Sequence, residues 1–339
     1  MSSTATDNRA SDARRDGADD GAAAEGGRGR DADAPSDIPG RGWKDIAVRV
    51  KDEIGDDHTV LAAAGVAFFA FLAMIPALAA LVSIAGLVTS PSSASQRIED
   101  LLGGLPAEAK ELLSSQLESM AGRSGGSLSV GLVVAVALSL WSASGGMGHL
   151  IEGINVAYDE HDDRNFFVRK GLSLALTLGA IVFLVVAVIG IAALPAILAS
   201  AGLPSWLTTV LQYVLWPVLM FGFAAGVAVL YRFAPDRDEP EWRWVSWGAV
   251  IAVVLWIVAS IGFRVYVATF GSYGESYGSL AAVVVLLLFL FITSFVILLG
   301  AQINSEMEHQ TARDTTEGAD EPLGERDAVV ADTVGESAD

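Results

Sequence analysis

Leu280–Ile303 reads LAAVVVLLLFLFITSFVILLGAQI and contains no Asp, Glu, Lys or Arg. A helix advances about 1.5 Å per residue, so about 20 apolar residues cross a hydrocarbon core of about 30 Å, and this run is longer than that. Backbone groups in lipid must bond to one another, which leaves helices or a closed barrel. Ala281 to Leu290 lacks the in-and-out alternation of a barrel strand. Five more runs of the same kind precede it: Val60 to Val88, Leu128 to Leu150, Phe166 to Ser200, Leu207 to Phe233 and Val245 to Phe270. The expected fold is all-α, a polytopic membrane protein with six transmembrane helices. Between the first two spans, Thr89 to Ser127 carries Ile98, Leu101, Leu102, Leu105, Leu112, Leu113 and Leu117 at helical spacing, which predicts a short amphipathic helical segment.

Charge is segregated from these runs. Over 339 residues the chain is 52% hydrophobic, with a mean hydropathy of +0.48, yet its formal net charge is -19. Much of the acid lies in residues 1–41 and 311–339, which are rich in Asp, Ala, Gly and Ser and poor in aromatics. Such segments bury too little apolar surface to offset the entropy of ordering, so both are expected to be disordered acidic tails around a six-helix domain at 42–310. Sparse Lys beside abundant Asp suits a high-salt proteome, although a base-rich genome biases composition the same way. The chain has no Cys, hence no disulfide or thiolate metal site. The first apolar run begins about 60 residues in, behind an acidic tail, which argues against a cleaved signal peptide.

Lys and Arg flank alternate gaps. Arg41, Lys44, Arg49 and Lys51 precede the first span, Arg164, Arg169 and Lys170 separate the second and third, and Arg232, Arg237 and Arg243 separate the fourth and fifth. Leu203 to Trp206 and Gly271 to Ser276 carry neither residue. The positive-inside rule then places both termini in the cytoplasm, in the cell (cytoplasmic) membrane. Trp43, Trp242, Trp244 and Trp247 are expected at the inner interface, and Trp206 and Tyr273 at the outer one.

Polar residues inside the spans are the candidates for function, because their burial must be compensated. The second span holds most of them, from Ser142 and Ser144 through Gly146 to His149, Glu152 and Asn155. His149 and Glu152 share a helix face and could share a proton or simply be solvated at the interface. Arg264 either snorkels or pairs with Glu275. Gly222 and Gly226 form a small-xxx-small pair, whose ordinary meaning is close helix packing. No metal-ligand spacing is legible, since His58, His149, His161 and His309 are not paired with one another.

The run Ala63, Gly65 to Pro76, the segment Trp141 to Ser144 with Gly146 and Met147, and Asn155 to Tyr158 resemble the YihY/BrkB membrane proteins. Tyr231-Arg232-Phe233-Ala234-Pro235, Tyr277-Gly278-Ser279-Leu280 and Gly300-Ala301-Gln302-Ile303-Asn304 follow in the family's order, so the resemblance covers about Trp43 to Glu308. Gln302 departs from the Glu common there. The resemblance implies a six-span inner-membrane protein with a poorly defined activity, in a family linked to serum resistance and once labelled ribonuclease. The residues oppose that label: a metal-dependent nuclease needs clustered ligands in a soluble pocket, and acidic tails repel phosphate.

Two classes of function remain open. One is a transporter or flippase for a lipid or small solute, in which six spans divide into inverted halves of three. Its expected path runs beside Ser142, Ser144, Gly146, His149 and Glu152 to Tyr277 and Gly278. The other is an envelope scaffold with no transported substrate. In both, Asn155, Asn304 and Arg232 are expected as structural polar groups, and neither requires catalysis or a cofactor. Membrane lipids are the expected partner, self-association is left open, and nucleic acid is not expected.

Overall fold

The computed structural model describes residues 27–88, 130–200, 203–269 and 279–338. Among these residues the chain is helical, apart from turns and one isolated bridge between Pro240 and Thr316. After a single 3-10 turn at Pro35–Asp37, the helices are α1 Gly40–Asp56, α2 Thr59–Val88, α3 Val130–Ala157, α4 Phe166–Ser200, α5 Ser205–Phe233, α6 Trp242–Thr269, α7 Ser279–Glu308 and the short α8 Val329–Asp332. Four are long and apolar enough to cross a membrane, over Phe166–Ala187, Ser205–Phe233, Trp242–Ala268 and Val283–Glu308. A fifth span results if α1 and the start of α2, bent by 63°, count as one. The first two expected runs coincide with α2 and α3, whose span-forming residues are described only in part. The amphipathic segment expected at Thr89 to Ser127 lies outside the described residues.

Each long helix packs on its neighbours in sequence, and α7 closes the ring by packing on α2 while also touching α3 and α1. The interior is built from small and branched residues, including Ala63, Val66, Ile154, Val227, Ala252, Leu298 and Ala301. Gly300 is required where α5, α6 and α7 meet. A Cβ there would lie 2.3 Å from Tyr231 Oη and 2.6 Å from Ala252 Cβ. Tyr231 uses that closeness to donate to the Ile297 carbonyl at 2.7 Å. The outward face is equally apolar: Val182, Leu184, Val186, Val218, Phe221, Val254, Val258 and Ile261 are all exposed. An apolar exterior on helices of this length is the signature of a lipid-facing surface.

One end of the bundle is polar, and here the structure differs from the sequence reading. Residues 27–39 and 311–338, expected as disordered tails, are packed together over this end. Ala312 N donates to Arg30 O at 2.8 Å, and Thr311 Oγ1 donates to Ala32 O at 2.8 Å. Arg326, 4% exposed, donates to the carbonyls of Ala312, Arg313, Glu321 and Ala331. Glu241 N bonds to Thr315 O and Glu317 N to Glu239 O, so the C-terminal segment runs along the α5–α6 connection. Composition averages over a segment, whereas a buried guanidinium with several carbonyl acceptors and a few apolar anchors such as Val330 and Ala331 orders it locally. Residues 1–26 lie outside the described residues.

Trp244, expected at the inner interface, is fully buried in a small cluster with Ile38, Ile46, Val50 and Met307, where α1 meets α7. Trp242, Trp247 and Trp206 are exposed. The expected glycine pair of α5 also divides: Gly222 receives the Phe183 ring of α4, whereas a Cβ on Gly226 would meet nothing within 4 Å.

Candidate functional site

The candidate residues of α3 diverge around the helix. Ser142 is exposed, and Ser144 is buried with its hydroxyl donated to Trp141 O at 2.7 Å. Gly146 is buried against α2, where a Cβ would stand 3.4 Å from the Ala70 nitrogen. This surface is packed helix against helix. His149 lies flat on the Phe69 ring, centroids 4.0 Å apart, and its Nδ1 is 3.5 Å from Glu152. Tyr277 and Gly278 lie outside the described residues.

A cleft of about 180 Å³ opens on the other flank of the helix, between α3 and α4. Gly145 and Gly148 leave the space, and His149, Glu152, Arg169, Lys170 and Ser173 supply its polar groups. Lys170 lies over the Trp141 ring at 4.4 Å and donates to Trp141 O at 3.0 Å. Phe166 forms the apolar rim. The sequence reading reached His149 and Glu152 but not Arg169 or Lys170, which were counted only as orientation charges.

Nearer the axis, Asn155, Asn304 and Arg232 join connected polar groups. Asn155 Nδ2 donates to Ile151 O at 2.9 Å, and its Oδ1 accepts from Asp236 N at 2.8 Å, fastening the α5–α6 loop to the end of α3. Asn304 Oδ1 accepts from Gly248 N at 3.2 Å, and its Nδ2 donates to Tyr158 Oη at 2.6 Å and Glu308 Oε1 at 3.4 Å. Glu308 Oε2 then accepts from Arg237 Nη2 at 2.8 Å and from Thr315 Oγ1 at 2.9 Å. Arg232 lies 4.7 Å over the Trp242 ring and binds Pro240 O, Glu239 and Glu317. The pairing of Arg237 with Glu308 had no sequence signal, because the partners are 71 residues apart.

A third group sits at the elbow between α1 and α2. His58, with φ 51°, turns the chain, and oxygens of Glu53, Asp57 and Asp159 lie within 4.8 Å of one another. Asp159 reaches the group from just beyond α3 with φ 55°. Burial, followed by repulsion from Asp57, Asp159, Glu306 and Asp56, pushes the Glu53 carboxyl up to about 7. Burial also raises Asp57, against the opposing Gln302 hydrogen bond, and raises Asp159, with Glu306 adding repulsion. Sequence spacing gave no hint of this cluster, since Asp159 lies far along the chain from Glu53 and Asp57. Asp159 also borders an open bowl of about 770 Å³ with Glu160, Asp163, Asp236, Asp238 and Asp327.

A ring of long apolar helices with an apolar outer face, closed at one end by a charged network, defines a polytopic α-helical membrane protein. The sequence profile described as Virulence factor BrkB matches residues 50–323, and the chain belongs to that family. Among curated relatives, it is 32% identical over 220 residues to YfkH of Bacillus subtilis (strain 168), whose name styles it ribonuclease-like; the match covers 61% of this chain and 77% of that protein. A UPF0761 membrane protein of Tolumonas auensis is 35% identical over 82 residues, 24% of this chain and 27% of the relative. Another, of Idiomarina loihiensis, is 25% identical over 183 residues, 53% of this chain and 61% of the relative. The chain thus spans less than two thirds of the latter two. No solved structure matches it.

Proposed function

We propose that this protein moves an anionic lipid across the cytoplasmic membrane along the α3–α4 flank. The observation that carries the reading is the cleft itself, where Arg169, Lys170 and Ser173 stand beside the aromatic groups Trp141 and Phe166. Cations suit a phosphate-bearing head group, and an apolar rim suits the start of an acyl chain. The reading takes α2 to α7 as six spans, with the polar end in the cytoplasm. In its support, the segments that hold Arg41, Arg164 and Arg237 gather at that one end: Asp163 N bonds to Asp236, Val329 N to Glu160 and Ala338 N to Asp45. It assigns no catalysis, and the carboxylate-lined bowl opposes binding of RNA.

A scaffold without substrate is the second reading. It is favoured by Gly146, which packs against the α2 backbone on the face first expected to carry a path. Reconstitution in vesicles with a fluorescent anionic phospholipid separates the two. Lys170→Glu is expected to slow lipid movement by about tenfold, a loss of roughly 1.4 kcal/mol in barrier lowering, while melting in detergent changes little. Gly146→Leu should stop movement only by disturbing packing, so its loss of activity should track a fall in melting temperature. A Lys170→Glu protein that folds and moves lipid at the wild-type rate excludes the cleft as the route. Movement no faster than in empty vesicles for the wild type favours the scaffold.

Orientation has its own test, made simple by the absence of native Cys. Single cysteines replacing Ser36, Ser115, Asp163, Ser205, Asp238 and Ser272 are treated with an impermeant thiol reagent in intact cells. Labelling is expected at Ser115, Ser205 and Ser272 only. Labelling at Asp163 or Asp238 but not at Ser205 inverts the topology.

A further inference from the structure

We propose that Glu53, Asp57 and Asp159 hold a divalent cation of the calcium class, which ties the α1–α2 elbow to the end of α3. One oxygen from each residue lies within 4.8 Å of the other two. Three such points share a centre no more than about 2.8 Å from each, so a small contraction reaches the roughly 2.3–2.6 Å shell of calcium. Magnesium fits less well, because its octahedral shell of about 2.0–2.1 Å tolerates little distortion. Among the described residues, none of the three makes an ion pair with Lys, Arg or His within 4 Å.

Carboxylates gathered on a surface are common without an ion, but two further observations point to a ligand here. Gln302 is 1% exposed and donates Nε2 to Asp57 Oδ2 at 3.0 Å, while its Oε1 is buried with no partner. A buried amide oxygen beside a carboxylate is costly unless something positive lies within reach. Thr59 Oγ1, which lines a small cavity together with Asp57, is likewise buried and unpartnered. A cavity of about 10 Å³ lined by Asp57, Thr59 and Gly153 has room there for one water, a natural further ligand.

The site also has an approach. Asp159 belongs both to the cluster and to the open bowl, which is also lined by Glu160, Asp163, Asp236, Asp238, Asp327 and Asp332. A cleft lined by one sign of charge concentrates the opposite ion at its mouth. The cation would neutralise the mutual repulsion of the three acids and join α1, α2 and α3, with Gln302 bringing in α7. The inference does not depend on whether a lipid moves along the α3–α4 cleft.

The test uses the full chain in lipid nanodiscs, stripped with EDTA and held in KCl to screen nonspecific charge. Calcium chloride is titrated by calorimetry and by thermal melting, with magnesium chloride as the second probe. Calcium is expected to bind at about one ion per chain and raise the melting temperature, with magnesium weaker. Glu53→Gln and Asp57→Asn should each weaken calcium binding by about tenfold or more. Both should melt at or above the wild type in EDTA, because each removes repulsion without changing side-chain size. Asp238→Asn, which alters the bowl outside the trio, should bind calcium as the wild type does. The proposal is overturned if calcium adds nothing beyond KCl of equal ionic strength, if the Glu53→Gln/Asp57→Asn double variant binds like the wild type, or if the variants melt below it in EDTA.

Discussion

Arg237→Ala is expected to destabilise the folded chain by about 3–5 kcal/mol, the cost of leaving a buried carboxylate without its counter-ion. Both side chains of the Arg237–Glu308 pair are fully buried, with Nη2 and Oε2 2.8 Å apart. Glu308 retains only Thr315 Oγ1 and a long contact with Asn304 once the guanidinium is gone, and neither carries a full positive charge. Solvent reaches the site only if the overlying C-terminal segment lifts away, so residues 311–338 should become sensitive to limited proteolysis in the same variant. The companion Arg237→Met/Glu308→Leu should recover much of the loss, since an apolar pair of similar bulk has no desolvation penalty to offset. Melting in a mild detergent checks both. Wild-type melting of Arg237→Ala would show that the carboxylate finds water or a proton without unfolding, and that this end of the bundle is not sealed.

The second large effect is expected from Asn304→Leu. This amide is completely buried and serves three elements together: Gly248 N on α6, Tyr158 Oη at the end of α3 and Glu308 one turn further along α7. Leucine fills similar volume but leaves the Tyr158 hydroxyl without this donor, at a cost of about 1–3 kcal/mol. Gly248 belongs to the same contact, because a Cβ there would stand 2.4 Å from Asn304 Oδ1. Asn155→Leu should lose a comparable amount through Asp236 N and the α5–α6 loop. Asn304 and Arg237 share Glu308, so the double substitution Arg237→Ala/Asn304→Leu should cost less than the two single losses combined. Additive losses would mean the two groups act separately. Unchanged melting in both asparagine variants would remove their structural role.

Asn155 and Asn304 stood out in the sequence because an amide at the end of an apolar helix needs partners whatever the surrounding fold. Their partners were not legible. Nothing local links Asn304 to Tyr158, which are 146 residues apart, or Glu53 to Asp159 on another element. Helical spacing reports which side of a helix the α1 acids occupy and not what approaches it. The α3 candidates show the same limit. Ser142, Ser144 and Gly146 are small and polar in sequence, but helix rotation decides which faces a neighbour, and it sends Gly146 onto α2 and opens the cleft beside Gly145 and Gly148 instead. Arg169 and Lys170 were counted for their charge, yet their place in the cleft, and that of Lys170 over Trp141, depends on how α4 leans on α3.

Sequence by itself determined that the chain is helical and built for a membrane. Apolar length is a local property, and the demand that backbone groups in lipid satisfy one another leaves a helix as the outcome for runs such as Leu280–Ile303. Tertiary structure alone decided the closure of the ring by α7 on α2 and the ordering of residues 311–338 over the polar end. It also decided the meeting of Glu53, Asp57 and Asp159 at one elbow. Those outcomes rest on contacts between residues far apart in the chain, where the energy of each hydrogen bond or charge depends on what the rest of the fold places beside it.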